Sequence, residues 1–234
     1  LLSTAAEAFS HGWTGLKLYF MIGLPGETPE DIEAIGRLAE KVFDTGRKTG
    51  SRPPQIRITV STFIPKPHTP FQWAAQDSAE TIAQKQEIMR NSMRRRGIKL
   101  SWSDMKLSLL EAVFSRGDRR LGDVIYRAWK AGCRFDSWSE YFNYDVWMKA
   151  FEEAGLDPAF YARRERSLNE ILPWSHIHSG VSSEFLKREF ARSQEEKTTR
   201  DCRTEKCNAC GLEKTAGACI KKISKSLSSS RRSR

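Results

Sequence analysis

Residues 16–27, LKLYFMIGLPGE, decide the fold. From Leu16 to Ile22 every residue but Lys17 is apolar or aromatic, the near-continuous pattern of a strand covered on both faces, as in a parallel sheet. Gly23-Leu24-Pro25-Gly26-Glu27 then breaks the strand. Thr28 is a natural N-cap, Pro29 suits a first helical position, and Glu30 and Asp31 put negative charge where the helix dipole favours it. A helix is therefore predicted from Thr28 or Pro29. Two glycines at the carboxyl end of a strand let the backbone approach a ligand closely, and that end is where α/β folds bind ligands. A plain strand-to-helix turn would need the same residues, and the sequence leaves both readings open.

Working outward, a helix is predicted over Leu2–His11, ending at Gly12, and another over Pro29–Thr45, with Ile32, Ile35, Leu38, Ala39, Val42 and Phe43 at helical spacing and a stop near Gly46. The next strand, QIRITVST at 55–62, sets Ile56, Ile58 and Val60 against Arg57 and Thr59. Strand, helix and strand at this spacing make a βαβ unit with parallel strands and a right-handed crossover. Three prolines in 63–71 then forbid regular structure and hold the chain extended. His68 in that loop reads as a surface residue.

Beyond residue 76 the chain turns helical. Asp77 and Glu80 have capping-box spacing, and the helix they open runs past Ile82, Ile88, Met89 and Met93 to Arg94-Arg95-Arg96, whose charges offset its dipole. IKLSW at 98–102 is a candidate strand. Helices follow over Asp104–Phe114, Asp118–Ala131 and Ser139–Ala154. Between the first two, Arg116, Arg119 and Arg120 surround a glycine turn. Arginine forks recognise phosphate or carboxylate bidentately, so these three are the candidate substrate contacts outside the sheet; a solvated turn is the bland alternative. Cys133 needs only to pack, while His176 and His178 would point the same way on a strand, as a metal pair would.

The sharpest chemical signal is a group of four cysteines. Cys207 and Cys210 have knuckle spacing, in which a tight turn brings two thiolates to one metal, and Cys202 and Cys219 could complete a tetrahedral site. Zinc and an auxiliary iron-sulfur cluster both fit thiolate ligands, and free thiols in a tail fit as well.

With 234 residues and 39% hydrophobic content, the chain can form one generous domain or a domain with a satellite. A formal net charge of +10 makes RNA or another polyanion a plausible partner class, although the excess is concentrated in Arg94–Arg96, Arg163–Arg166 and a tail with six basic residues after Ile220. No run is long and apolar enough to span a bilayer, and the clustered cysteines argue for a reducing, cytoplasmic setting rather than a disulfide framework. Leu1 lies at the start of a predicted helix, which reads as a fragment whose amino-terminal part is missing.

GLPGETPED at 23–31, followed after one helix by TFIPKPHTPFQW at 62–73, resembles the last strands of the partial (β/α) barrel of radical S-adenosylmethionine (SAM) enzymes. SLLEAVFSRGDRRLGDVI at 108–125, LPWSHIHSGVSSEFLKREF at 172–190 and DCRTEKCNACG at 201–211 resemble a group within that superfamily that often carries a cobalamin-binding-like domain ahead of the barrel. The resemblance implies an α/β fold in three parts: barrel strands and helices at 1–76, a helical domain at 77–195, and a cysteine-rich basic tail at 196–234. It implies that Gly23, Leu24, Pro25, Gly26, Glu27 and Ile64 lie nearest SAM, although Glu27 could instead cap the following helix. It also implies a parent enzyme that cleaves SAM at a 4Fe-4S cluster held by Cys-x3-Cys-x2-Cys. That triplet is absent from this sequence. The competing function is a basic nucleic-acid-binding or scaffold module with a zinc knuckle and no catalysis.

Overall fold

The computed structural model describes residues 1–50, 52–93 and 95–212. Among them, the order is α1 (Leu2–Ser10), β1 (Gly15–Ile22), α2 (Pro29–Thr49), β2 (Gln55–Thr62), a 3-10 turn (Pro70–Trp73), α3 (Ala79–Ser92), β3 (Ile98–Trp102), α4 (Met105–Arg116), α5 (Leu121–Lys130), α6 (Tyr144–Glu153), α7 (Pro158–Ala162) and α8 (Ser183–Gln194). The fold is mixed α/β. β1, β2 and β3 form a parallel sheet in that order, with Leu18 opposite Ile58 and Ile58 opposite Leu100.

The described residues divide into two compact units, one within 1–64 and 75–164, the other within 65–74 and 165–212. This grouping departs from the boundaries expected near 76 and 195: the sheet and helices α1 to α7 share one unit.

In that first unit one face of the sheet carries the core. Ile56, Ile58 and Val60 pack with Ile32, Ala39 and Val42 of α2, Phe9 of α1, and Ile82 and Met89 of α3. The expectation that β1 is covered on both faces fails. Leu16, Leu18 and Phe20 turn to the core, but Lys17, Tyr19 and Met21 are exposed, Tyr19 at 70%. The helices stack on one side only, so the apolar run of β1 outnumbers the positions available to bury it. A second apolar cluster joins α4 to α7 through Leu110, Val113, Val124, Trp147, Phe151 and Tyr161. In the second unit, Trp73, Leu172, Trp174 and Leu186 form a separate small core, and Trp174 Nε1 donates to Gln72 Oε1 at 2.7 Å. Three prolines do not keep that loop irregular throughout, because Pro70 opens a 3-10 turn, where a missing N–H costs nothing.

Local chemistry accounts for the helix ends. Thr28 caps α2 in a reciprocal box, its Oγ1 accepting from the Asp31 amide while Asp31 accepts from the Thr28 amide. α3 is capped by Ser78, not by Asp77, and Arg95 pairs with Asp44 at 2.7 Å rather than merely facing a dipole. α2 also runs one turn past Gly46 to Thr49. Gly46 is there for closeness: a Cβ would come within 2.9 Å of the Phe9 ring and 2.8 Å of Pro54. Gly46→Ala should therefore lower stability by about 1–3 kcal/mol through overpacking, although glycine-to-alanine in an unobstructed helix raises it by about 1 kcal/mol. The sign of the shift in urea midpoint decides between the two.

Candidate functional site

The carboxyl ends of β1 and β2 sit side by side, joined where the Phe63 amide donates to Ile22 O at 2.8 Å. Beyond Ile22 the chain turns through Gly23 (φ +87°) and Gly26 (φ +80°). Both are left-handed, which glycine tolerates without strain. At Gly23 space matters too, since a Cβ would lie 3.0 Å from Ile82 Cδ1 and 3.3 Å from Asp77 Oδ2; at Gly26 a Cβ would meet nothing within 4 Å.

What fixes this turn is Glu27. Its side chain, 7% exposed, accepts from the Gly23 amide at 2.7 Å and lies 2.8 Å from Lys85 Nζ. Lys85 also reaches Asp77 Oδ2 at 2.8 Å. Glu27 is thus not the cap of α2, a role that Thr28 and Asp31 fill. Burial disfavours the charge on Lys85, but its hydrogen bonds to Asp77 and Glu27 outweigh that cost and hold its pKa above the ordinary lysine value.

Asp77 belongs both to this triad and to a cavity of about 230 Å³ lined by Thr62, Gln76, Ile82, Lys106, Tyr144 and Arg163, among others. Buried Gln76 closes its wall by donating through Nε2 to Phe63 O at 3.3 Å and Ser108 O at 3.1 Å. The Lys106 ammonium lies over the Tyr144 ring at 4.8 Å. The cavity lining is mainly apolar, and its charged members are Asp77, already paired with Lys85, together with exposed Lys106 and Arg163 beside the Tyr144 ring.

The six residues expected around a cofactor do not share one environment. Residues 23–27 form the braced turn, with Leu24 and Gly26 exposed and Pro25 half-buried, whereas half-buried Ile64 packs against the second apolar cluster. The three arginines separate as well. Arg116 is fully buried, its Nη1 and Nη2 donating to Ala162 O and Arg164 O at 2.9 Å each. That takes it out of any surface contact and makes it a clamp on the end of α7. Arg119 and Arg120 remain exposed, Arg120 in a fork with Asp118 at 2.7 Å.

In the second unit, Cys207 is exposed and Cys202 and Cys210 are half-buried. Among the described residues, no three His, Cys, Asp or Glu side chains converge as a metal would require; Cys219 lies outside the described residues. The turn itself is shaped. Ala209 N–H donates to Cys207 Sγ at 3.5 Å, Ala209 has φ +50° and Gly211 φ +107°, and Arg188 donates to the carbonyls of Asn208 and Ala209. His68 and His178 line a shared hollow of about 380 Å³, with His176 exposed outside it. Cys133 is buried as expected for packing, and burial pushes its thiol pKa up.

Over 110 residues the chain is 32% identical to an uncharacterized protein of Methanocaldococcus jannaschii, a match covering 47% of this chain and 23% of that protein. The matched part thus spans about a quarter of that relative's length. No family model matches, and neither does any solved structure. Among the described residues no helix is long and apolar enough to cross a membrane.

Removing Lys85 leaves two carboxylates without their cation. Lys85→Met should cost about 3–5 kcal/mol of stability. Because the Lys85 pKa is raised on folding, its contribution is complete at neutral pH and disappears as pH climbs past roughly 10.4, the unfolded value, and through the folded one. Denaturation curves of the parent should show an alkaline loss in that window that Lys85→Met lacks.

Proposed function

We propose that the chain is the carboxyl-terminal part of a radical SAM enzyme, comprising the final strands of a partial (β/α) barrel and a helical portion, and that its glycine turn forms part of the wall around SAM. The observation that carries this reading is the braced turn at the carboxyl end of β1, in a parallel sheet covered by helices on one face and lined with polar side chains on the other. Parallel sheets are ordinarily covered on both faces, and a polar uncovered face suits the lumen of a barrel.

The cavity beside the turn is proposed to receive the amino-acid end of such a cofactor. Asp77 offers a carboxylate to an ammonium or sulfonium, and Lys106 and Arg163 offer cations to a carboxylate. Gly26 leaves room for close approach, while Glu27 acts on the turn from behind rather than on the ligand. In a parent that holds a 4Fe-4S cluster elsewhere in its chain, SAM would supply the radical chemistry. None of the five cysteines stands in a Cys-x3-Cys-x2-Cys spacing, so the residues present do not fit that cluster, and this chain's part is to position SAM and exclude water. Arg119 and Arg120, both exposed, are the proposed contacts for the parent's substrate.

Cys202, Cys207 and Cys210, with Cys219, are proposed as thiolate ligands of zinc or an auxiliary iron-sulfur cluster. The N–H···S bond and the left-handed corners at 209 and 211 suit a thiolate turn.

Two measurements test these readings. The coding DNA ahead of the Leu1 codon should encode, in frame, the Cys-x3-Cys-x2-Cys triplet, and the longer product should release 5'-deoxyadenosine from SAM anaerobically, with Glu27→Gln lowering the yield by roughly tenfold. A start codon directly ahead of Leu1, with no shift of the residue 23–27 amide signals on adding SAM, would overturn the proposal. For the cysteine turn, metal analysis should find zinc or iron in the parent and neither after Cys207→Ser with Cys210→Ser; unchanged metal content would remove that site.

A further inference from the structure

The uncovered face of the sheet holds a feature that the glycine turn does not explain. Lys17, Arg57 and Lys99 are register partners across β1, β2 and β3, and all three are exposed. Adjacent strands lie about 4.8 Å apart, so three cations share one rung about 10 Å long. Among the described residues none of them has a carboxylate partner, and the other positions of the strands on that face, Gly15, Gln55, Tyr19, Met21, Thr59, Ser61 and Ser101, carry no acid. Lys17 Nζ lies 4.8 Å from the centre of the Tyr19 ring. Like charges placed directly opposite on neighbouring strands destabilise a sheet. A rung of three with no counter-charge is therefore a standing cost that a bound anion would offset.

We propose that this rung binds the diphosphate group of a small molecule. An arginine flanked by two lysines gives a bidentate fork between two point charges, the arrangement that suits several phosphate oxygens in a short span. The next rung toward the carboxyl ends is Tyr19, Thr59 and Ser101, with Thr59 Oγ1 and Ser101 Oγ hydrogen-bonded at 3.1 Å. It offers hydroxyls and an exposed aromatic ring to whatever the diphosphate carries. A nucleic-acid backbone fits less well: its phosphates would run beyond the rung onto positions 19, 21, 59, 61 and 101, none of which is charged. SAM carries no phosphate, so the inference goes beyond the radical SAM reading and stands or falls separately from it.

The test is calorimetric titration of the whole chain with inorganic pyrophosphate at low salt. Arg57→Gln should weaken binding roughly tenfold, and Lys17→Gln with Arg57→Gln and Lys99→Gln should abolish it. A control carrying Lys41→Gln, Lys48→Gln and Lys130→Gln removes as many exposed charges elsewhere, keeps the basic tail, and should bind as the parent does. The rung variant loses repulsion, so its thermal midpoint should be no lower than the parent's, which separates lost binding from lost folding. Absence of binding at millimolar pyrophosphate, or undiminished binding by the rung variant, would overturn the proposal. So would an RNA oligonucleotide that binds more tightly than pyrophosphate and is lost in the same variant.

Discussion

The ion triad of Glu27, Lys85 and Asp77 is the constraint on which the carboxyl end of the sheet depends. It joins two segments distant in sequence: the turn after β1, and the start of α3, where Asp77 precedes the Ser78 cap and Lys85 lies in the second turn. Isolated, a carboxylate with 7% exposure would carry a large desolvation cost. Here one Glu27 oxygen accepts from both the Gly23 amide and Lys85, so the charge and the turn are satisfied together. Net stabilisation from such buried pairs is modest, but their geometry is strict. The triad therefore sets where the turn stands more than how stable the fold is.

That strictness explains the neighbouring sequence. Gly23 has little space for a Cβ because Ile82 of α3 and Asp77, the residue before its cap, close on it. Ser78 rather than Asp77 takes the N-cap, which leaves the Asp77 carboxylate available to Lys85 and to the cavity. The capping box of α2 is likewise completed by Asp31, which leaves Glu27 to face inward. Each helix start thus assigns the cap to one polar residue and spares another for the site.

Much of the scaffold could be read from the chain. Alternating Ile56, Ile58 and Val60 and the Thr28-Pro29 start mark two parallel strands joined through α2, and the short IKLSW run marks a third strand whose parallel place beside β2 only the structure supplies. What escaped had a common cause: single residues whose role is set by a partner far along the chain. Lys85 follows Ile82 by three positions and precedes Met89 by four, so it sits on the buried stripe of α3, and a lone cation within an apolar stripe was the available signal. Arg116 carries the same mark, three residues beyond buried Val113. Gly46 imitates a helix stop because the ring that requires it, Phe9, belongs to another helix. The one-sided cover of β1 was hidden for a different reason: hydrophobicity records that a residue can be buried, not that something is present to bury it.

The two ends of the sheet consequently solve different electrostatic problems. At the carboxyl end, charges are matched within the chain, so the turn is held by the protein's own side chains. Toward the amino end, on the open face, Lys17, Arg57 and Lys99 are aligned by nothing except strand register. Register is a rigid constraint, because a slip of one residue would turn Ile56 and Ile58 out of the core and Arg57 into it. Burial on one face thus enforces a like-charge row on the other. The hydrophobic core holds the cations together against their repulsion, and the resulting field is available to an anion without any further folding cost.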